Sequence, residues 1–393
     1  MNGETKTRIC FVAVVEISIK AFLIDHFKTL SHFFDISVCV NTKDEAFLKP
    51  SGVDVTVIPI RIERKISPLS DAGALLRLYR IFRRYKFDVV HSIMPKSGFL
   101  SMLAAFFAGI PVRIHTFTGQ VWATKHGPGR WFLKTMDRIL AACATHILVD
   151  SQSQRTFLIE QGVVSPEKSC VIAEGSICGV DSGKFSPNPE AKSRIRKQYG
   201  IPESDIVFLY LGRLNLDKGL LDLAGSFSRI GDMYGNAHLV IVGSDEQMMK
   251  ERIQSICVSC SQNIHFEDFT DVPEQFIAAA DVLCLPSYRE GFGVVIIQAA
   301  SVGIPSIGSR IYGVTDTIED EVTGLLFKAG DPDDLVLKMK KFLDNPETIK
   351  QMGAEARKRA LRLYSKERVT AAMLDFYRNF IAAAKKRRTV NLF

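Results

Sequence analysis

The sequence predicts an α/β protein of two doubly wound domains, each with a parallel sheet between layers of helices. Its 393 residues suit two large domains, at about 150 residues per domain. The composition, 47% apolar and 24% charged, is that of an ordinary globular protein. Apolar, strand-like runs alternate with amphipathic helical segments, and after a break this alternation starts again. Such βαβ alternation is typical of parallel sheets.

The first domain opens with a strand. Ile9–Val15 is a continuous apolar run, as expected for a strand buried on both faces. The pattern continues with a helix over residues 21–30, strands over 36–40 and 53–60, and an amphipathic helix over 72–85. Strands over 89–91, 112–116 and 146–149, separated by helices, complete this half.

A break divides the chain near residue 188. Two prolines, a serine and an asparagine interrupt regular structure between Phe185 and Glu190, which predicts a linker at 186–190. We therefore expect domains over 1–188 and 189–365, with a final helix at about 366–393 that packs back on the first. In the second domain the pattern predicts strands over 206–211, 238–242, 264–266, 281–286 and 305–308, and helices over 218–230, 247–260, 272–280 and 294–302.

Composition also excludes several classes of protein. No apolar run reaches the roughly 20 residues of a transmembrane helix, and we expect no signal peptide. Among eight scattered cysteines only Cys257 and Cys260 have metal-like spacing, without a second pair, so no metal site is predicted. These features suit the cytoplasm. The net charge of +7 allows anionic partners, but no nucleic-acid recognition motif accompanies the basic residues.

One motif follows the strand 206–211. Gly212 and Arg213 come directly after it, and Lys218 and Gly219 precede the next helix. Two cations beside a helix N-terminus, at the carboxyl end of a parallel strand, favour binding of a diphosphate leaving group without a metal. The alternative is an ordinary surface turn.

A second motif follows the strand 281–286 in the same way. Glu290 is placed to accept hydrogen bonds from sugar hydroxyls, and the amides around the helix start can bind an anion. The participating residues are Glu290, Gly291, Phe292, Gly293, Val294 and, eight residues after Glu290, Gln298.

These motifs together identify a family. Gly-Arg-x4-Lys-Gly, Pro-Ser-x2-Glu-Gly-Phe-Gly-x4-Gln-Ala and Gly324-Leu-Leu-Phe resemble the retaining glycosyltransferases of family 4, whose GT-B fold has two Rossmann-like domains facing across a cleft. The resemblance implies that Arg213 and Lys218 hold the donor diphosphate and that Glu290 contacts the donor sugar. Gln298 stands where the family has a glutamate that accepts from ribose hydroxyls.

The resemblance extends more weakly to the first domain. His115 ends a strand where the family often has a histidine facing the donor sugar, so the resemblance implies a donor or acceptor contact there and a place among the catalytic residues with Arg213, Lys218 and Glu290. The alternative is a buried structural histidine.

The implied reaction is hexosyl transfer from a nucleotide sugar, a UDP-sugar by family habit, with no cofactor or metal. Alternatives are a non-catalytic subunit of a polysaccharide assembly complex, which Gln298 would suit, and, less favoured, a nucleotide-sugar 2-epimerase.

The acceptor side is expected in the basic first domain. Arg77, Arg80 and Arg84 share one helix face, and Trp122, His126 and Trp131 follow in a loop with further basic residues. Basic residues beside aromatics suit peripheral contact with the inner face of the cytoplasmic membrane. The loop 120–131 resembles that of enzymes acting on undecaprenyl-diphosphate-linked sugars in capsule, O-antigen or lipopolysaccharide synthesis. The alternative is a soluble acceptor.

Overall fold

The chain forms two compact units. The computed structural model describes the backbone of residues 6–63 and 66–390, and side chains up to Ile381. The first unit comprises the residues up to Cys178 together with those from Lys366 onward, and the second is Gly179–Ser365. The boundary therefore lies ten residues before the predicted one, because the segment 179–188 packs with the second unit.

The first unit, within its described residues, is a seven-stranded parallel sheet of order β3-β2-β1-β4-β5-β6-β7. Its strands are β1 Arg8–Val15, β2 Asp35–Asn41, β3 Thr56–Pro59, β4 Val89–Ile93, β5 Val112–Phe117, β6 His146–Val149 and β7 Ser169–Val171. Its first six helices are α1 Glu16–Phe22, α2 Ile24–Leu30, α3 Pro68–Tyr85, α4 Pro95–Phe107, α5 Gly127–Cys143 and α6 Gln152–Glu160.

The last helix of the chain completes this unit. Helix α15, Lys366–Val390, buries Met373 and Tyr377 in the same apolar cluster as Phe11 on β1. The Tyr377 hydroxyl lies 2.5 Å from Nδ1 of His91 in the sheet. The side chains after Ile381 and residues 391–393, which belong to the segment predicted to pack here, lie outside the described residues.

The second unit is described throughout and is a six-stranded parallel sheet of order β10-β9-β8-β11-β12-β13. Its strands are β8 Ile206–Leu211, β9 Ala237–Val242, β10 Ile264–Glu267, β11 Val282–Leu285, β12 Ser306–Ser309 and β13 Gly324–Phe327. Its helices are α7 Pro189–Gln198, α8 Leu220–Met233, α9 Met249–Ile256, α10 Pro273–Ala279, α11 Val294–Val302, α12 Val314–Thr317, α13 Pro332–Asp344 and α14 Glu347–Leu363. The predicted fold class is confirmed.

Two local predictions were wrong, and two short strands were not predicted. The segment 21–30 is not one helix, because the chain bends at Leu23 between α1 and α2. The predicted linker contains a helix start, because the Asn188 side chain caps α7 and Pro189 occupies its first turn. The short strands β7 and β13 were missed, since three or four residues carry little periodicity.

Candidate functional site

The two sequence motifs meet at one point of the second sheet. Strands β8 and β11 are neighbours although they lie far apart in sequence, and the strand order reverses between them. The loop 212–219 leaves the carboxyl end of β8, and the loop 286–293 leaves that of β11. In open α/β sheets, ligands bind outside the carboxyl ends of the strands at such a switch point.

An ion pair joins the motifs directly. The Lys218 ammonium contacts the Glu290 carboxylate, which also accepts a 2.8 Å hydrogen bond from the Ser287 hydroxyl. Both charged side chains are mostly buried, with 19% of Lys218 and 14% of Glu290 exposed. The structure therefore brings together Lys218, which the sequence analysis predicts to bind the donor diphosphate, and Glu290, which it predicts to contact the donor sugar.

Gly219 allows the loops to approach this closely. Its φ is +67°, and a Cβ on it would lie 2.0 Å from the carbonyl oxygen of Pro286. A side chain at this position would meet both the strain of a left-handed backbone and an overlap with the neighbouring loop. The absence of a side chain at Gly219 thus permits the contact between the two loops.

A third loop contributes a residue that sequence reasoning missed. Glu246, which follows β9, lies 3.2 Å from Nη1 of Arg213 and accepts a 3.1 Å hydrogen bond from the Asn215 amide. Oδ1 of Asn215 is buried and has no hydrogen-bond partner within the part of the chain that the structure describes. The sequence signal that could have pointed to Glu246 is its position, three residues after Gly243 at the end of β9.

The loops are tied further by Asp217 and its partners. Arg289 donates to the Asp217 carboxylate at 2.9 and 3.1 Å, and the Tyr288 amide donates to the Asp217 carbonyl at 2.9 Å. The sequence analysis did not predict the pairing of Arg289 with Asp217. These bonds hold the loops in one arrangement before a ligand binds, which lowers the entropy lost on binding.

The remaining donor-side residues take up positions around the start of α11. Gly291 and Gly293 are buried, with φ of +78° at Gly293, and Val294 begins the helix. The Phe292 side chain is 2% exposed and packs edge-on against Tyr364, so only its backbone is suited to meet a ligand. Gln298 is half-buried on the second turn. On the other loop, a Cβ added to Gly212, next to Arg213, would lie 3.1 Å from the hydroxyl of buried Tyr210.

His115 lies in the interior of the first unit. Its ring is fully buried, Nδ1 is 2.9 Å from the Ser92 hydroxyl, and Nε2 has no hydrogen-bond partner among the described residues. A Cβ on Gly98 of α4 would come within 2.3 Å of the ring, so the helix packs directly on it. Burial lowers the pKa of His115 to about 3, which keeps it neutral. These surroundings suit the alternative of a buried structural histidine, and the expected sugar contact stays a prediction.

Trp122 is likewise not at the surface, contrary to its expected place on the acceptor side. It is 1% exposed, donates to Asp137 at 2.7 Å and stacks on Phe157, because α5 and α6 close over it. Arg130 and Lys134 pack against its ring. The structure assigns Trp122 to the core of this unit.

The other acceptor-side residues are exposed. Arg77, Arg80 and Arg84 lie on the outer face of α3, and His126 directly precedes α5. Trp131 is 68% exposed on α5, next to Phe132, which is 49% exposed. Among the helices within the described ranges, none is both long and apolar enough to span a bilayer.

Two family models match the chain, one in each unit. The model of the glycosyl transferase 4-like domain matches residues 31–175, and that of glycosyl transferases group 1 matches residues 191–359. With the two parallel-sheet units, these matches show that the chain belongs to the glycosyltransferases of the GT-B fold.

Named relatives support the assignment. The chain is 28% identical to the capsular polysaccharide biosynthesis glycosyltransferase CapM of Staphylococcus aureus, over 83% of this chain and 85% of CapM. It is 29% identical to the UDP-Gal:alpha-D-GlcNAc-diphosphoundecaprenol alpha-1,3-galactosyltransferase of Escherichia coli, over 72% and 73% of the two chains. HepE of Anabaena, solved with UDP and glucose, shares the fold with a TM-score of 0.79 at 18% identity, over 95% of this chain and all of HepE.

Proposed function

We propose that this protein is a retaining, family 4 hexosyltransferase that moves a sugar from a UDP-sugar to a polyprenyl-diphosphate-linked saccharide in bacterial surface polysaccharide synthesis. The observation that carries the donor half is the ion pair of Lys218 with Glu290 at the β8–β11 switch point, on the loop that also carries Arg213. The names of CapM and of the E. coli galactosyltransferase support the acceptor half and the uridine nucleotide.

The proposed chemistry needs no cofactor or metal. Negative charge grows on the diphosphate as the bond to the anomeric carbon breaks, and Arg213 and Lys218 are placed to stabilise it. Glu290 would hold a hydroxyl of the donor sugar while its ion pair orients the lysine. The leaving diphosphate would take the proton of the attacking hydroxyl on the same face, so that the protein supplies positioning and charge stabilisation.

The first test is thermal melting with UDP, GDP or ADP. A nucleotide at about 100 times its Kd adds about 2.7 kcal/mol to the free energy of unfolding, a visible shift in Tm. We expect UDP alone to raise Tm. A shift in Tm with GDP or ADP instead of UDP would change the proposed donor to a GDP-sugar or an ADP-sugar. No shift with any of the three nucleotides would favour the non-catalytic subunit.

The second test is the substitution Lys218→Ala. Loss of one preorganised charge-stabilising group is expected to lower kcat for transfer by about 100-fold or more. Lys341→Ala, which removes a lysine paired with Glu321 outside the site, is the matched control and should leave kcat unchanged. A near-normal rate for Lys218→Ala would contradict the role given to this lysine.

The proposed place of action is the inner face of the cytoplasmic membrane. Helices α3, α4 and α5 pack side by side and contribute to one apolar cluster, so they cover one face of the sheet. Exposed Trp131 and Phe132, with the arginines of α3, give this face the aromatic and basic character that suits anionic lipid.

Vesicle sedimentation tests this placement. The double substitution Trp131→Ser and Phe132→Ser is expected to lower binding to phosphatidylglycerol vesicles several-fold, and salt should weaken binding of the unmodified protein. Phe269→Ser, at an exposed aromatic of the second unit, is the control. Equal vesicle binding by all three proteins would favour the soluble acceptor.

A further inference from the structure

Each of the two site cations is paired with a carboxylate, and one of these carboxylates belongs to neither motif. Lys218 contacts Glu290 of the second motif, whereas Arg213 contacts Glu246 from the loop after β9. A diphosphate bound by Arg213 must therefore share or displace an acid that the structure has placed there. The question is how firmly Glu246 is held.

The backbone fixes the position of Glu246. The Leu214 amide donates to Ser244 at 2.9 Å and the Glu246 amide donates back to Leu214 at 3.1 Å, so the β8–β9 pairing continues past the strand ends. Gly243 permits this approach, because a Cβ on it would lie 1.9 Å from the Gly212 carbonyl oxygen. The loop after β9 is thus bonded along the loop that carries Arg213.

The carboxylate is also fixed by a buried partner. Asn215 is 8% exposed and donates to Oε2 of Glu246 at 3.1 Å, while Nη1 of Arg213 lies 3.2 and 3.3 Å from the two carboxylate oxygens. The Arg213 side chain is 50% exposed and that of Glu246 is 31% exposed. Glu246 is therefore the anchored member of the pair, and Arg213 is the member with freedom to turn toward a ligand.

We propose that Glu246 is an internal counter-ion that competes with the donor diphosphate for Arg213 and so lowers the affinity of the site for nucleotide. This inference rests on the proposed function, because it takes the ligand to be a nucleoside diphosphate or its sugar ester. Without donor, Glu246 neutralises the guanidinium and holds it at the carboxyl end of β8. When the spent nucleotide leaves, the same carboxylate takes Arg213 back, which favours release.

The test is nucleotide titration of Glu246→Gln by calorimetry. Glutamine keeps the size of the side chain and an oxygen that accepts from Asn215, but removes the charge. We expect Kd for UDP to fall about two- to fivefold at low salt, the scale of an exposed ion pair. The gain should shrink as salt rises. Uridine, which has no phosphate, should bind the variant and the unmodified protein alike.

Two controls separate a charge effect from a structural one. Asp333→Asn removes a carboxylate paired with Arg229 outside these loops and should leave UDP affinity unchanged. In an Arg213→Ala background, adding Glu246→Gln should no longer tighten UDP binding, because the effect acts through the guanidinium.

The outcomes distinguish this inference from the function on which it rests. Failure of the unmodified protein to bind UDP would overturn the proposed donor and the inference with it. Normal UDP binding by the unmodified protein, with equal or weaker binding by Glu246→Gln, would overturn the inference alone. A gain that persists in the Arg213→Ala background would do the same.

Discussion

Gln298 is the position at which this chain departs from the motif it otherwise follows. It lies half-buried on the second turn of α11, eight residues after Glu290. A glutamine oxygen still accepts a hydrogen bond from a ribose hydroxyl, but a carboxylate would make a charge-assisted bond about twice as strong. If Gln298 meets the ribose, as its position in the motif predicts, this chain binds the nucleotide less tightly than a glutamate at the same place would allow.

The substitution Gln298→Glu tests this account. If Gln298 meets the ribose, the variant should bind UDP about fivefold more tightly, the difference between a neutral and a charged hydrogen bond. Calorimetric titration with UDP and with 2′,3′-dideoxy-UDP measures it, and the dideoxy nucleotide should show no gain. A gain for both nucleotides, or for neither, would show that the residue does not contact the ribose hydroxyls.

At the level of loops, the site depends on how closely the segments after β8, β9 and β11 approach one another. Gly219 and Gly243 both have positive φ, and a Cβ on either would overlap a backbone oxygen of a neighbouring loop. The glycines thus set the distance between the loops, and the charged side chains set the chemistry.

Gly219→Ala should separate these contributions. The left-handed backbone and the 2.0 Å approach to Pro286 are expected to destabilise the second unit by about 1–3 kcal/mol and to weaken UDP binding. Gly225→Ala is the matched control, because it lies within α8 with open space around its Cβ and should stabilise by about 0.5–1 kcal/mol. Chemical denaturation and UDP titration check both variants. Unchanged UDP affinity in Gly219→Ala would show that the loop adjusts without cost.

The same loops show what the sequence could predict. Arg213, Lys218 and Glu290 could be selected because each stands at a fixed offset from a strand end and a glycine. The structure confirms that their strands are neighbours, and their roles stay predictions. Glu246 was not found, because its role depends on the pairing of two loops, which no local pattern encodes. The strand β7 was missed because it is only three residues long.

The first unit shows a similar limit for single side chains. From the pattern of basic and aromatic residues, Trp122 and Trp131 were predicted to lie in one loop and to contact the acceptor or the membrane together. The structure separates them, because Trp122 packs against Phe157 whereas Trp131 turns outward from α5. Exposure is set by the packing of α5 and α6, which the spacing of the two tryptophans does not show.

In sequence, the residues of the second unit lie between the two segments that form the first. The second unit is continuous from Gly179 to Ser365 and has its own core, whereas the first needs α15 from the end of the chain. Tyr377 and Met373 of α15 belong to the apolar cluster around Phe11, and Tyr377 bonds to buried His91. Every residue proposed to bind the nucleotide lies in the continuous unit.

This organisation predicts that the fragments behave differently. The fragment 179–365 should unfold cooperatively and bind UDP within about tenfold of the full chain, since a site held by loops of one sheet needs no second unit for its geometry. The fragment 1–178 should not unfold cooperatively alone, because it lacks the helix that covers Phe11 and leaves His91 without Tyr377. Joining residues 366–393 to it through a flexible Gly-Ser linker should restore a cooperative transition in circular dichroism.

Two outcomes would contradict these expectations. A cooperative melt of 1–178 at the same temperature as the joined fragment would show that α15 is not part of the stable core of the first unit. Loss of UDP binding by 179–365 would place part of the nucleotide contact in the first unit.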